Sequence, residues 1–213
     1  MTTDGQTPAK VAERLGDDEI HVWRLVYDRH QGRAPLLAML GAYLGLPAAQ
    51  VRLEASAHGR PELAGGEHGR LAFNWSHSHD QALIALAQGI TPGIDLEWLR
   101  PHPKALVIAR RYFSPDEAAR LAALPTPQRE RAFLELWTAK EAVLKALGRG
   151  LAFGPHRLSI AGSSEEPVLG RLEGYAAEQW QLHRLPLGDA HVGALAWHGG
   201  PRRIRLWTLA GAG

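Results

Sequence analysis

Short apolar segments, separated by turns rich in glycine and proline, predict a chain of strands and a few helices. His21–Tyr27 alternates apolar and polar residues, as a half-buried strand does. A helix is predicted from Pro35 to Leu44, because Gly45 and Pro47 follow it as stop signals. Another helical region ends at Gly148. Further strands are predicted at Val51–Glu54, Leu71–Phe73, Ala82–Ala87, Ile94–Leu96, Arg157–Ile160, Trp180–Leu185, Val192–Trp197 and Ile204–Leu209.

Short similar segments recur at similar offsets in the first and second parts of the chain and predict two related halves. Leu44–Gly45 is repeated as Leu147–Gly148, and Ala85–Leu86–Ala87 as Ala194–Leu195–Ala196. We therefore predict an α+β fold of two similar halves related by pseudo-twofold symmetry, with the active site in the cleft between them. The expected organisation is a loose lead-in over residues 1–19, a first half over 20–91 and a second half over 92–213. A glycine-rich polar stretch, His58–Arg70, interrupts the first half.

Composition narrows the class of protein. The 213 residues are 45% hydrophobic and 22% charged, as in ordinary globular proteins, and the formal net charge of +2 predicts no bulk binding of nucleic acid. The absence of cysteine excludes disulfides and a catalytic thiol. No apolar run reaches the ~20 residues of a membrane span, and the polar N-terminus lacks a signal-peptide core. We expect a cytoplasmic monomer that does not bind membranes.

Two carboxylates stand close together in the segment Gly93-Ile94-Asp95-Leu96-Glu97. Alternate side chains of a strand share a face, so Asp95 and Glu97 project from the same side. They repel each other unless a cation lies between them, and Mg²⁺ prefers such oxygen ligands. The pair indicates a magnesium site, with a solvated strand face as the alternative.

A second group of candidates lies on the predicted helix that ends near Leu147. At about 100° per residue, Lys140 falls within the apolar stripe, while Glu141 and Lys145 lie along one margin. Glu141 and Lys145 alone could form a surface ion pair. A lysine within an apolar stripe must reach solvent along its stem or meet an anion, for example a phosphate. Both explanations of Lys140 stay open.

A polar turn is predicted over Asn74–Asp80, between two strands. The Ser76 hydroxyl, the His77 imidazole and free backbone N–H groups of such a turn could hold a phosphate. His77 and His79, followed by Asp80, also suggest a zinc site, although the spacing is one residue short of the usual motif. An ordinary hydrogen-bonded turn is the third interpretation.

In order and spacing, these segments resemble the 4′-phosphopantetheinyl transferase superfamily, in particular its longer, Sfp-like branch, in which one chain supplies both halves. The resemblance covers roughly residues 20 to 200. Its matching stretches are Phe73-Asn74-Trp75-Ser76-His77-Ser78, Pro92-Gly93-Ile94-Asp95-Leu96-Glu97, Arg111–Glu117 and Phe133–Leu151.

The resemblance implies transfer of the 4′-phosphopantetheine group of coenzyme A to a serine of an apo acyl or peptidyl carrier protein, with release of 3′,5′-ADP. It implies that Asp95, Glu97 and Glu141 face a Mg²⁺ bound to the pyrophosphate of coenzyme A. Lys140 and Lys145 would contact the phosphates or the reaction centre. Glu141 could be a metal ligand, the base that takes the serine proton, or both.

The resemblance also implies a nucleotide-binding end. His77 would meet the 3′-phosphate of coenzyme A, helped by Ser76, and the basic side chains of Arg33 and Arg60 would add charge there. Two residues depart from the family pattern: His79 stands where glycine is common, and Ala38 lies near the expected place of a second arginine.

Two other functions stay open. One is a metal-dependent nucleotide phosphohydrolase that uses His77 and His79. The other is a non-catalytic protein that binds coenzyme A or a carrier domain, although three convergent carboxylates favour an enzyme.

Overall fold

The computed structural model describes residues 7–65 and 70–209. Residues 1–6 of the predicted lead-in and 66–69 of the glycine-rich stretch lie outside the described residues. The chain divides into two compact units, Met1–Pro92 with Pro201–Gly213, and Gly93–Gly200. Both units combine helices with a β-sheet. The predicted α+β class is therefore confirmed.

The described residues form the following helices and strands, in chain order: α1 (Pro8–Ala12), β1 (Glu19–Val26), α2 (Ala34–Leu44), β2 (Leu53–Ala55), β3 (Pro61–Leu63), β4 (Leu71–Ser78), β5 (Gln81–Gln88), β6 (Gly93–Trp98), α3 (Ala105–Tyr112), α4 (Pro115–Ala122), α5 (Thr126–Leu147), β7 (Leu158–Gly162), β8 (Pro167–Leu172), β9 (Trp180–Arg184), β10 (His191–His198) and β11 (Arg203–Leu209).

The sheet of the first unit has the strand order β11-β1-β5-β4, with β1 and β11 parallel and the other pairs antiparallel. Strand β1 was predicted to be half-buried, and this is wrong: side chains of both its faces are buried, among them the adjacent residues Val22 and Trp23. His21, a polar position of β1, is completely buried. It is accommodated by hydrogen bonds to the Tyr43 hydroxyl and the Glu19 carboxylate, at 2.8 and 3.2 Å.

The predicted loose lead-in contains a short helix, α1, and the start of β1. Val11 of α1 is buried in the same core cluster as Leu36 and Leu40 of α2. An apolar side chain in this core explains why part of the lead-in is ordered. The prediction of a loose segment is therefore wrong for residues 8–12.

The second unit contains the antiparallel sheet β6-β10-β9, the hairpin β7–β8 and helices α3 to α5. Helix α5 is 22 residues long and ends at Gly148, whose φ of 73° is the left-handed conformation that glycine adopts easily. Ala142, Val143 and Leu144 of α5 lie in the main core cluster of this unit. None of the described helices combines the length and apolar character needed to cross a membrane.

The two units share one internal topology. Each has a strand, one or more helices, a small hairpin and two final strands, and the last of these strands lies between the other two in the sheet: β1-β5-β4 and β6-β10-β9. The structure differs from the predicted division in two elements, of which the first is α1: it lies in the predicted lead-in but belongs to the first unit. Strand β11 was assigned to the second half, but it pairs in parallel with β1 and belongs to the first unit.

Candidate active site

Strand β6 carries the two carboxylates that the sequence singled out. Asp95 and Glu97 are two residues apart on this regular strand and share its face with Gly93. Asp95 is buried, with 6% of its surface exposed, whereas Glu97 is half-buried. The shared face predicted for the pair is thus present in the second unit.

Helix α5 packs directly on that face at Gly93. A Cβ atom added to Gly93 would overlap the carbonyl oxygen of Ala142 and the amide nitrogen of Ala146, and it would lie 2.9 Å from the Ala146 Cα. The helix can therefore approach the strand this closely only because residue 93 has no side chain. This approach places Glu141 and Lys145 of the helix beside Asp95.

Lys145 is bonded to the strand. Its Nζ donates to Asp95 Oδ1 at 2.7 Å and to the Ile94 carbonyl oxygen at 3.0 Å. The Lys145 side chain is 25% exposed and that of Asp95 is 8% exposed. Such a charge-assisted hydrogen bond, partly withdrawn from water, is stronger than one between neutral groups.

Glu141 completes a cluster of three carboxylates. Burial, together with the negative charges of Asp95 and Glu97, raises its pKa to about 7, against the lowering effect of Lys145. Its Oε1 atom is buried and accepts no hydrogen bond from any residue that the structure describes. A buried carboxylate oxygen of this kind needs a proton or a cation as partner.

These residues suit a divalent cation by their chemistry. Three carboxylates offer hard oxygen ligands, and the Glu141 oxygen is ready to accept one more contact. As the side chains stand, however, no group of three histidine, aspartate or glutamate residues within 7–65 and 70–209 is arranged to hold an ion. Lys145 supplies the positive charge next to Asp95 instead.

Lys140 lies elsewhere. It is 1% exposed, and its Nζ donates to Glu117 at 2.9 Å and to the carbonyl oxygens of Pro155 and Leu158 at 3.0 and 2.6 Å. The ammonium also lies 5.0 Å from the centre of the Phe113 ring. Burial lowers the pKa of Lys140, and the Glu117 carboxylate opposes this shift. The anion that a core-facing lysine requires is therefore Glu117, where the sequence suggested a phosphate.

Sequence reasoning assigned no role to Glu117. Its carboxylate caps α4 by accepting from the Ser114 amide at 2.8 Å, and it also accepts from the Ile160 amide of β7 at 2.8 Å. One buried carboxylate thus connects α4, α5 and β7. The available signal was the capping-box spacing of Ser114 and Glu117, which predicts a helix start but not a partner for Lys140.

The predicted site residues of the first unit are spread over several elements. Ser76 and His77 were expected in a turn over Asn74–Asp80, but β4 continues to Ser78, so that prediction is wrong. Adjacent residues of a strand face opposite sides, and accordingly Ser76 is buried while His77 is exposed and lies 4.6 Å, ring to ring, from Tyr27. The actual turn includes His79, whose φ of 58° is left-handed, which is why glycine suits this position.

The two arginines of the first unit also differ. Arg33 is exposed and precedes the first residue of α2. Arg60 is half-buried, and its Nη2 donates to the carbonyl oxygens of Phe73 and Pro92 at 2.8 and 3.4 Å. Burial lowers the pKa of Arg60. At least two of the contacts of Arg60 are therefore with the backbone.

Comparison with known proteins identifies the class. The profile of the 4′-phosphopantetheinyl transferase superfamily matches residues 91–196, which include β6 and α5. The 4′-phosphopantetheinyl transferase HetI of Nostoc sp. is 36% identical over 92% of this chain and 84% of its own length. A phosphopantetheinyl transferase of Thraustochytrium sp. is 27% identical over 89% of this chain and 72% of its own length. The chain belongs to the 4′-phosphopantetheinyl transferase superfamily.

A solved structure, the holo-[acyl-carrier-protein] synthase of Thermotoga maritima, matches 53% of this chain and 63% of its own at 22% identity. Its TM-score is 0.40.

Proposed function

We propose that this chain transfers the 4′-phosphopantetheine group of coenzyme A to a serine of an apo acyl or peptidyl carrier protein. The serine oxygen forms a new bond to the β-phosphorus, the bond from that phosphorus to the bridging oxygen breaks, and 3′,5′-ADP leaves. The observation that carries the proposal is the cluster of Asp95, Glu141 and Lys145 in a chain that matches a transferase over nearly its whole length.

Asp95, Glu97 and Glu141 are the residues that would hold Mg²⁺. When bound, the ion would neutralise the pyrophosphate and stabilise charge on the leaving group. Lys145, whose side chain is 25% exposed, supports the transferred phosphate with its ammonium. The raised pKa of Glu141 also suits it to accept the serine proton near neutral pH.

The other predicted residues receive different roles. We assign Lys140 a positioning role, because all its described contacts lie with Glu117, two carbonyl groups and Phe113. His77 and Arg33, both exposed, are our candidates for the phosphate at the nucleotide end. A contact of Ser76 or Arg60 with coenzyme A remains a prediction.

The shared topology of the two units supports the proposal of two similar halves. Their pseudo-twofold relation and the cleft remain predictions, as do a monomeric state and a cytoplasmic location.

The test is a transfer assay against a panel of apo carrier proteins, with coenzyme A and Mg²⁺. We expect at least one carrier to gain the mass of one phosphopantetheine group, and a chelator to abolish the gain. A matched reaction without carrier checks for hydrolysis. Consumption of coenzyme A there, with no carrier modified in the panel, would contradict the proposal and favour a phosphohydrolase.

A further inference from the structure

The lysine of the acidic cluster already holds one of its carboxylates. Lys145 Nζ lies 2.7 Å from Asp95 Oδ1, and a second bond to the Ile94 carbonyl oxygen, at 3.0 Å, keeps the ammonium against the strand. The Asp95 side chain is only 8% exposed, so water screens this pair weakly. The ammonium therefore neutralises a carboxylate that a divalent cation would need.

Glu141 is in a different state. Its Oε1 is buried and accepts no hydrogen bond within the described part of the chain, so no described side chain would compete with a cation for this oxygen. At Asp95, by contrast, a cation would have to displace Lys145 or share the carboxylate with it. Two positive charges beside one buried carboxylate repel each other. Cation binding and the Lys145–Asp95 bond are thus in competition.

We propose that Lys145 competes with a divalent cation for Asp95, so that the cation binds tightly only together with a diphosphate. This inference rests on the proposed function, because the diphosphate is that of coenzyme A. A phosphate oxygen offers the ammonium another anion, and the flexible lysine stem allows it to turn away from Asp95. Asp95 Oδ1 is then released to the cation. By linkage, the cation and the diphosphate strengthen each other's binding by the same factor.

The substitution Lys145→Met tests this competition directly, because methionine keeps much of the apolar stem of lysine but carries no charge. We expect the affinity for Mn²⁺ alone to rise about 10- to 100-fold, which corresponds to about 1.4–2.8 kcal/mol at ~1.4 kcal/mol per tenfold. The matched control is Lys104→Met, which removes an exposed lysine beside α3 in the same unit. Its affinity for Mn²⁺ should equal that of the wild type.

The measurement is calorimetric titration of the full chain with Mn²⁺, without carrier protein, first alone and then with coenzyme A present. A titration of coenzyme A without protein corrects for Mn²⁺ bound in solution. For the wild type, we expect weak binding of Mn²⁺ alone and binding at least 10-fold tighter with coenzyme A, a coupling of ~1.4 kcal/mol. For Lys145→Met, tight binding should no longer require coenzyme A.

Two results would overturn the inference: equal affinity of the wild type and Lys145→Met for Mn²⁺ alone, or a wild-type affinity that coenzyme A does not raise. Thermal unfolding checks that each variant is folded, and Lys145→Gln replaces Lys145→Met if the latter is not. If the wild type is active in the carrier assay and Lys145→Met binds Mn²⁺ as the wild type does, only the competition between Lys145 and the cation is rejected. If the proposed function itself is wrong, no carrier will be modified and coenzyme A will not promote Mn²⁺ binding.

Discussion

The buried pair of Lys140 and Glu117 gives the sharpest test of what Lys140 does. In Lys140→Met, the Glu117 carboxylate, 1% exposed, loses its only positively charged partner among the described residues. Removing one member of a buried ion pair typically costs about 3–5 kcal/mol. Glu117 keeps hydrogen bonds from the amides of Ser114 and Ile160, so we expect the lower end, about 3 kcal/mol.

A double-mutant cycle isolates the interaction. Glu117→Leu alone leaves the Lys140 ammonium buried without a counter-charge, with two carbonyl oxygens and the Phe113 ring as its remaining contacts, so we expect a loss of about 3–5 kcal/mol. The combined variant removes both charges together. It should lose about 1–3 kcal/mol less than the sum of the two single variants, because neither charge is left uncompensated.

The assay is urea unfolding followed by tryptophan fluorescence and circular dichroism. With a slope of about 2 kcal/mol per molar urea, the midpoint of Lys140→Met should fall by about 1.5 M. Lys104→Met is again the matched control, and as an exposed substitution it should change stability by no more than about 0.5 kcal/mol.

The contrary outcome is equally clear. If Lys140→Met unfolds at the same urea concentration as Lys104→Met but no longer transfers phosphopantetheine, Lys140 acts on the substrate. The positioning role would then be rejected, and the phosphate contact suggested by the sequence would be restored. An additive double-mutant cycle would likewise reject the ion pair.

Three further predictions concern other parts of the structure. Gly93→Ala should lower stability by about 1–3 kcal/mol and reduce transfer, because its Cβ overlaps α5, whereas Gly200→Ala, with open space around its Cβ, should have little effect in urea unfolding and the carrier assay. Asp95→Asn should abolish transfer in the mass assay while circular dichroism stays unchanged; near-normal transfer would remove Asp95 from the site. Burial lowers the pKa of His21 below 6.5, so as the pH falls the unfolded chain takes up the proton before the folded chain does. As the pH is lowered from 6.5, the free energy of unfolding should therefore decrease by at most ~1.4 kcal/mol per pH unit. His21→Gln should flatten this slope between pH 6.5 and 4.5, and an unchanged slope would contradict the assignment.

Periodicity predicted most of the elements because it records which side of each element is covered. The two strands on which the site depends were found within one or two residues: Ile94–Leu96 lies in β6, and Val192–Trp197 lies in β10. The helix stop at Gly148 was also recognised, since it follows from local conformation. Local signals were sufficient for these features.

Features that depend on distant partners were not predicted. The parallel pairing of β11 with β1 joins residues far apart in sequence, and no local pattern in Arg203–Leu209 specifies it. Strand β3 was missed because it has only three residues, and β8 because its two buried side chains, Leu169 and Leu172, are three residues apart and do not alternate with exposed ones. The partner of Lys140 was also missed because it is distant in sequence. The helical position of Lys140 showed that it faced the core, but its partner Glu117 lies on another helix.

The consecutive residues Lys140 and Glu141 differ in role because a helix turns by about 100° per residue. Lys140 is bound to Glu117 on one side of α5, and Ala142 and Ala146 touch Gly93 on another. Glu141 and Lys145 project between these two sides. Rolling the helix would break the ion pair or separate it from the glycine, so both contacts fix the direction of the site residues. The ion pair can therefore influence transfer without touching the substrate.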